Sequence, residues 1–237
     1  MKFVIAGLSF LFILSSCKNN SADKHENSID SETVKRSFND LFPRLNKFLR
    51  EQDSTFSSEL FEEAATTDIP DSTALKIEED ELLPYFPYLL FNRDSSFALD
   101  LVTYNYLPSE KNGITTMEEQ GPDYEVALIN MKKNERTRLL FFGTMGTVMD
   151  ATWENPNTVI MVGPTEWTDS DSVQMEMWKY SVGDRKLQKF IYPDKIHAAW
   201  HKYTQQWMEK ISDQNHPRFL NPHNIQIGIK SIRATAV

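Results

Sequence analysis

Val148-Met149-Asp150-Ala151-Thr152-Trp153, Thr158-Val159-Ile160-Met161-Val162-Gly163 and Val173-Gln174-Met175-Glu176-Met177-Trp178-Lys179-Tyr180 follow one another closely in a chain of 237 residues. Each run is short and rich in β-branched, methionine or aromatic residues, which fit a pleated and largely buried surface. Asn155-Pro156-Asn157 separates the first two runs, and Gly183-Asp184 follows the third. Residues of these types supply the backbone angles that a chain reversal needs. Loops this short join neighbouring strands antiparallel, so the spacing predicts a meander and excludes a series of βαβ units.

The same reading extends in both directions. Phe97 to Tyr106, Tyr124 to Met131, Arg138 to Gly143, Thr147 to Trp153 and Leu187 to Tyr192 are predicted strands, and Leu82 to Phe91 is left irregular. A shift of about 49 residues lays Val126–Ile129 on Met175–Trp178, Asn134–Arg136 on Gly183–Arg185 and Phe141 on Phe190, a period that suits one four-stranded propeller blade. With one residue of slippage the shift also lays Asp100 on Asp150. The stretch from Val148 to Tyr180 resembles such a blade, and is similar to uncharacterised bacterial envelope lipoproteins built on blade-like meanders. The resemblance covers less than half of the chain and implies no activity. A closed propeller takes roughly four blades or more, and two are visible. The expected fold is therefore α+β and mainly antiparallel β: two blade-like meanders in contact, or one continuous curved sheet, with N-terminal and C-terminal helices packed on them.

Val34, Phe38, Leu41, Leu45 and Phe48 recur at gaps of four and three, one face of an amphipathic helix capped by Asp30 or Ser31. Pro43 lacks an amide hydrogen and clashes with the preceding turn, so the helix should kink or restart there. A second short helix is expected from Ser54 to Ala65, burying Phe56, Leu60 and Phe61. Asp194 to Ser212 returns to helical spacing through Ile196, Trp200, Tyr203, Trp207 and Ile211. Ile225, Ile227 and Ile229 alternate with polar residues and glycine, so a final strand should pair with a sheet edge.

The beginning of the chain gives an address. Lys2 precedes an apolar run from Phe3 to Leu14, and Leu14-Ser15-Ser16-Cys17 ends it. A basic start, a short apolar stretch and small residues make a secretory signal peptide, and the run is too short for the roughly 20 residues a membrane-spanning helix needs. Ending on cysteine, it resembles the lipobox of bacterial lipoproteins. That resemblance implies cleavage before Cys17, attachment of lipid to its thiol and acylation of the new amine. Three acyl chains would hold the protein at a membrane, since each buried methylene contributes about 0.8 kcal/mol. Lys18 in place of aspartate after the cysteine favours, by analogy with the lipoprotein sorting rule, the outer membrane of the cell envelope. Cys17 is the only cysteine. Three segments follow: residues 1–16 as signal peptide, 17–31 as lipidated start and polar tether, and 32–237 as a single β-rich domain.

Composition narrows the partners. The formal net charge is −9, and cleavage at Cys17 would remove one lysine and no acid. So acidic a surface repels nucleic acid and anionic headgroups, so membrane attachment falls to the lipid. An envelope protein or a glycan remains as a partner.

Candidate chemistry is sparse. His197 and His201 lie four apart in the expected last helix, which would place both imidazoles on one face, with His216 and His223 following. The glutamate of an HExxH motif is missing. The loop Trp167-Thr168-Asp169-Ser170-Asp171-Ser172 offers two carboxylates but lacks the third acid, glycine and distal glutamate of a calcium loop. Glu62-Glu63 and Glu78 to Glu81 read as solvated charge. Gly143-Thr144-Met145-Gly146 is too sparse to cradle phosphate. Trp153, Trp178, Trp200 and Trp207 fit core positions, whereas Trp167 falls in a polar loop and could face a sugar ring. No catalytic residue, metal or cofactor is assigned. The sequence alone points to a lipid-anchored, non-catalytic binding or assembly module of the envelope; a metal-dependent hydrolase using His197 and His201, and a glycan-binding module using Trp167, are the alternatives.

Overall fold

A computed structural model describes residues 38–111, 114–144, 146–167, 172–197, 203 and 226–227. The stretch that opened the sequence reading forms four consecutive antiparallel strands: β9 (Asp150–Asn155), β10 (Thr158–Trp167), β11 (Ser172–Ser181) and β12 (Lys186–His197). Val159, Ile160, Met161 and Val162 are all buried, so both faces of β10 are covered. The turn between β9 and β10 is closed by the Asn157 amide, which donates to Asn155 Oδ1 at 2.9 Å. Gly163 sits where the Thr147 carbonyl crosses β10, and a Cβ there would lie 1.9 Å from that oxygen.

Strands earlier in the chain repeat this pattern and make the first sheet, β9–β12 belonging to the second. β3 (Leu90–Phe91), β4 (Phe97–Asp100), β7 (Tyr124–Asn130) and β8 (Glu135–Phe142) pair antiparallel in that order. Between β4 and β7 the chain inserts a hairpin, β5 (Tyr106–Lys111) and β6 (Ile114–Glu119), whose far edge takes β13 (Gln226–Ile227) in parallel. An earlier strand closes each meander on its outer side: β1 (Glu62–Asp68) pairs with β12, and β2 (Ala74–Lys76) with β8. The two closures share their geometry. The Ile69 amide donates to the carbonyl of Arg185 at 2.9 Å, and the Ile77 amide to that of Asn134 at 3.1 Å. Arg185 and Asn134 both hold positive φ, 55° and 51°, at the ends of matching hairpin loops.

The protein is thus mostly antiparallel β in two large sheets, as the strand spacing implied. The internal repeat needs adjustment. Asn130 and Glu135 flank one hairpin as Ser181 and Lys186 flank the other, two residues further along than the sequence offset. Asp100 ends β4 whereas Asp150 begins β9, so these two do not occupy equivalent places.

One core joins the sheets. Phe142 at the end of β8 lies 5.2 Å, ring to ring, from Trp178 of β11. Trp153 Nε1 donates to the Leu90 carbonyl at 2.8 Å and Asn92 Nδ2 to that of Pro156 at 2.8 Å, which ties the two first strands together. Helix α1 (Pro43–Gln52) lies over this core. Pro43 breaks the helix as its chemistry requires: a helical turn at 38–41 ends, Phe42 leaves helical angles, and α1 starts on the proline. The break shifts the buried stripe. Phe38, Phe42, Leu45 and Leu49 are buried while Leu41 and Phe48 are half-buried, a correction to the expected face. Val34 and the capping residues lie outside the described residues.

Four further expectations are corrected. No helix spans Ser54 to Ala65: one 3-10 turn (Ser58–Leu60) leads into β1, and Leu60 is 44% exposed. Phe56 and Phe61 do reach the core, but the β12 edge pairs with every residue from Glu62 to Asp68 except Ala64, which a short isolated helix could not match. The strand expected through Tyr106 ends at Asp100, because its carboxylate accepts the amides of Val102 and Thr103 and turns the chain. β12 continues through Asp194, Ile196 and His197, so these residues are extended and not helical. Ile196 pairs with Val173 and is buried there. Tyr203 is helical, packs against Phe48 at 5.2 Å, and donates its hydroxyl to Asp150. Leu83–Tyr88, expected to be irregular, is a 3-10 helix.

Candidate functional site

The residues singled out from the sequence converge only in part. β10 ends on Trp167, whose backbone pairs with Val173, which in turn pairs with Ile196. In the next row Ser172 pairs with His197, and Ser172 Oγ lies 3.2 Å from His197 Nε2. Trp167 therefore closes a strand, where the sequence reading had put it in a loop, and it shares one end of the sheet with His197. The helical spacing that was to align His197 with His201 does not apply, because His197 is in a strand and exposed. His201, His216, His223, Asp169 and Asp171 lie outside the described residues, as does Cys17. Asp53, beyond α1, has its pKa lowered mainly by the Thr55 hydroxyl and amide, with a smaller contribution from nearby His197. Among the described residues no group of three histidine, cysteine or acidic side chains is placed to hold a metal ion. Trp153 and Trp178 join the core as expected. Glu62 and Glu63 are exposed on β1.

A second cluster was not foreseen. Register places Asp100 opposite Ala127, Ala127 opposite Arg138, Glu125 opposite Phe141 and Ile129 opposite Arg136, so these residues share one face of the first sheet. Asp100 and Glu125 are buried there. Arg136 bridges them, with Nε donating to Asp100 Oδ2 at 2.9 Å and Nη1 to Glu125 Oε1. Arg138 Nε donates to the other oxygen of Glu125. The Thr103 hydroxyl adds a further donor to Asp100. Burial pulls the Arg136 pKa down, yet the two carboxylates outweigh it and leave it raised, so the guanidinium stays charged. Both carboxylates are occupied as acceptors in ion pairs.

Three residues join this buried network to the surface. Asn105 Nδ2 donates to the carbonyls of Leu101 and Glu125 at 2.8 and 2.9 Å, while its Oδ1 accepts the Glu125 amide at 2.9 Å. The side chain behaves as a short piece of strand and pins the loop after β4 to β7. Tyr104, next to it, packs edge-on against Phe141 at 6.0 Å. The Arg138 guanidinium lies 5.1 Å from the Phe141 ring centre. Tyr104 and Phe141 are 39% and 48% exposed, unusual for rings of this size on a β-sheet body. Arg138 makes no hydrogen bond from its terminal nitrogens among the described residues, and Arg136 Nη2 is buried without a partner.

Buried tyrosines back the cluster. Burial raises the pKa of Tyr85, pushes those of Tyr88 and Tyr106 up to about 12, and holds that of Tyr124 well above the usual value. All four remain neutral at ordinary pH; Tyr85 donates to the Tyr106 carbonyl at 3.1 Å, whereas the Tyr88 hydroxyl is buried without a partner among the described residues.

The sequence carried a faint signal for this site. Glu125 stands directly ahead of the apolar run Val126–Ile129, and Arg136 and Arg138 alternate on the following strand. Their meeting depends on register across three strands, which no local pattern states.

The architecture defined here is a two-meander β body with an exposed aromatic and arginine surface. No family model, curated protein or solved structure matches the chain.

Proposed function

We propose that this chain is a lipid-anchored protein of the bacterial cell envelope, held at the outer membrane through Cys17, whose β body serves as a non-catalytic binding or assembly module. The observation that carries the reading is the placement of the single cysteine directly behind a short apolar leader. Support from the body comes from its surface. Leu60, Leu75, Leu83, Tyr104, Leu107 and Phe141 are large side chains left exposed, and Tyr104 and Phe141 are in ring contact beside Arg138, a grouping of aromatic residues and arginine that protein-contact surfaces favour.

Two measurements test it. Growth with an alkyne-bearing fatty acid should label the wild-type chain and leave Cys17→Ala unlabelled, with the variant moving from the membrane to the soluble fraction. Photo-reactive phenylalanine placed in turn at Leu60, Leu75, Leu83 and Leu107 should cross-link an envelope component from at least one position. An unlabelled wild-type chain would remove the anchor, and the absence of adducts from all four positions would remove the module.

A further inference from the structure

We propose that Tyr104, Phe141 and Arg138, at the base of the inserted β5–β6 hairpin, form the docking site for a partner-protein segment that carries a carboxylate beside an apolar side chain. This inference deepens the binding-module reading and rests on it. Three independent features of the structure converge on the place.

The first is topological. In the second sheet the chain passes from β10 to β11 across residues 168–171, whereas in the first it passes from β4 to β7 through a whole hairpin. An insertion confined to one copy of a repeated unit commonly marks the binding face of repeat architectures. Tyr104 stands directly before this hairpin and Leu107, also exposed, at its start.

The second is a surplus of donors. Asp100 and Glu125 are occupied by Arg136 Nε and Nη1, Arg138 Nε, the Thr103 hydroxyl and two backbone amides. The terminal nitrogens of Arg138, whose side chain is 56% exposed, are left without acceptors among the described residues, whereas Arg136 Nη2 is buried beyond a ligand's reach. A carboxylate is the acceptor that matches a guanidinium most closely, through paired and charge-assisted hydrogen bonds. On a chain whose net charge is −9, the exposed Arg138 guanidinium beside two exposed rings is a place where an acidic ligand gains a partner against the general repulsion.

The third is preorganisation. Arg138 is held at Nε by buried Glu125 and rests on Phe141, while Asn105 fixes the loop that carries Tyr104. The rings and the guanidinium lose little freedom on binding, which is how a small surface reaches useful affinity. The arginine lying on Phe141 leaves that ring ill placed to stack on a sugar, so the geometry favours a peptide segment over a glycan.

The test pans a displayed library of random heptapeptides against the lipidated chain in detergent micelles. Selected peptides should share aspartate or glutamate within two positions of leucine, isoleucine or phenylalanine. A synthetic peptide of that consensus should bind about tenfold more weakly to Phe141→Ser and to Arg138→Gln. Only Arg138→Gln should also flatten the dependence of affinity on salt. Phe141 and Tyr104 are surface residues, so Phe141→Ser and Tyr104→Ser, checked by thermal melting, keep the comparison free of unfolding. A basic consensus, no consensus, or variants that bind as well as wild type would overturn the proposal. A dimer in light scattering that Phe141→Ser dissociates would overturn it too, by making a second copy the occupant. If cross-links form from Leu60, Leu75 or Leu83 while the peptides fail, the docking site falls and the module reading stands; if no position cross-links, the module reading itself falls.

Discussion

The side chain of Asn105 pairs with the backbone of Glu125 as a neighbouring strand would, accepting its amide and donating to its carbonyl, both at 2.9 Å. A third bond, to the Leu101 carbonyl, closes the loop that follows β4. Asn105→Ala removes all three and leaves buried backbone groups without partners. The expected cost is about 2–4 kcal/mol, since each net bond contributes about 1 and each orphaned group costs more. Urea unfolding measures it. A midpoint unchanged from wild type would mean that the loop holds without Asn105.

Arg136 stands between two buried carboxylates, so its loss differs in kind from the loss of a surface charge. Arg136→Met keeps much of the side-chain volume and leaves Asp100 and Glu125 facing each other without their shared cation. The expected destabilisation at neutral pH is about 3–5 kcal/mol. A second substitution carries the diagnosis. Removing one of the stranded charges, in Arg136→Met combined with Asp100→Asn, should recover part of the loss, because two buried like charges no longer face each other. A double variant no more stable than Arg136→Met in urea unfolding would contradict the assignment.

The sequence made the strands of the second sheet legible because each is a short apolar run ended by turn residues, so local pattern and tertiary role coincide. Pro43 was legible for the same reason. β1 was not, because Glu62-Glu63-Ala64-Ala65-Thr66-Thr67-Asp68 buries nothing and so shows no alternation; its strand character comes from the β12 edge it lies on. The extension of β12 to His197 was hidden by a helical spacing of large apolar residues that begins at Ile196, within the strand. The Asp100–Arg136–Glu125 network could not be read at all, because its members meet only through the register of β4, β7 and β8.

Gly163 is required by a close approach and not by its backbone angles. The Thr147 carbonyl occupies the place of a Cβ, and Thr147 and Met149 amides donate to the carbonyls of Pro164 and Val162 at 3.1 and 2.8 Å. Gly163→Ala must push the 147–149 segment off β10. Overpacking of this sort costs about 1–3 kcal/mol, more where backbone must move. Thermal melting should show at least that loss, whereas Gly183→Ala, with open space at its Cβ, should change stability far less.

β1 is held by backbone pairing to β12 and by the Arg185–Asp71 ion pair beyond its end, and all seven of its side chains are exposed. Opening it therefore exposes almost no apolar surface, which places it at the low end of local stability. In hydrogen exchange read by mass spectrometry, a peptide covering Glu62–Asp68 should exchange far sooner than those covering Thr158–Val162 and Met175–Tyr180, where both faces are covered. Equal protection would show that β1 opens only with the whole fold.

Alkaline pH should unfold the protein through its tyrosines. Burial raises the pKa of Tyr85, Tyr124, Tyr180 and Tyr203, and pushes those of Tyr88 and Tyr106 up to about 12, against 10.0 in an unfolded chain. The folded state binds these protons more tightly than the unfolded state does. Their contribution to stability is therefore complete below pH 10, and is lost as pH rises from there through 12. Absorbance at the tyrosinate band should stay low until circular dichroism reports unfolding, and then rise steeply with it. Independent titration of most of the eight tyrosines near pH 10, with the β signal intact, would show that the rings around Asp100 and Asp150 are open to water.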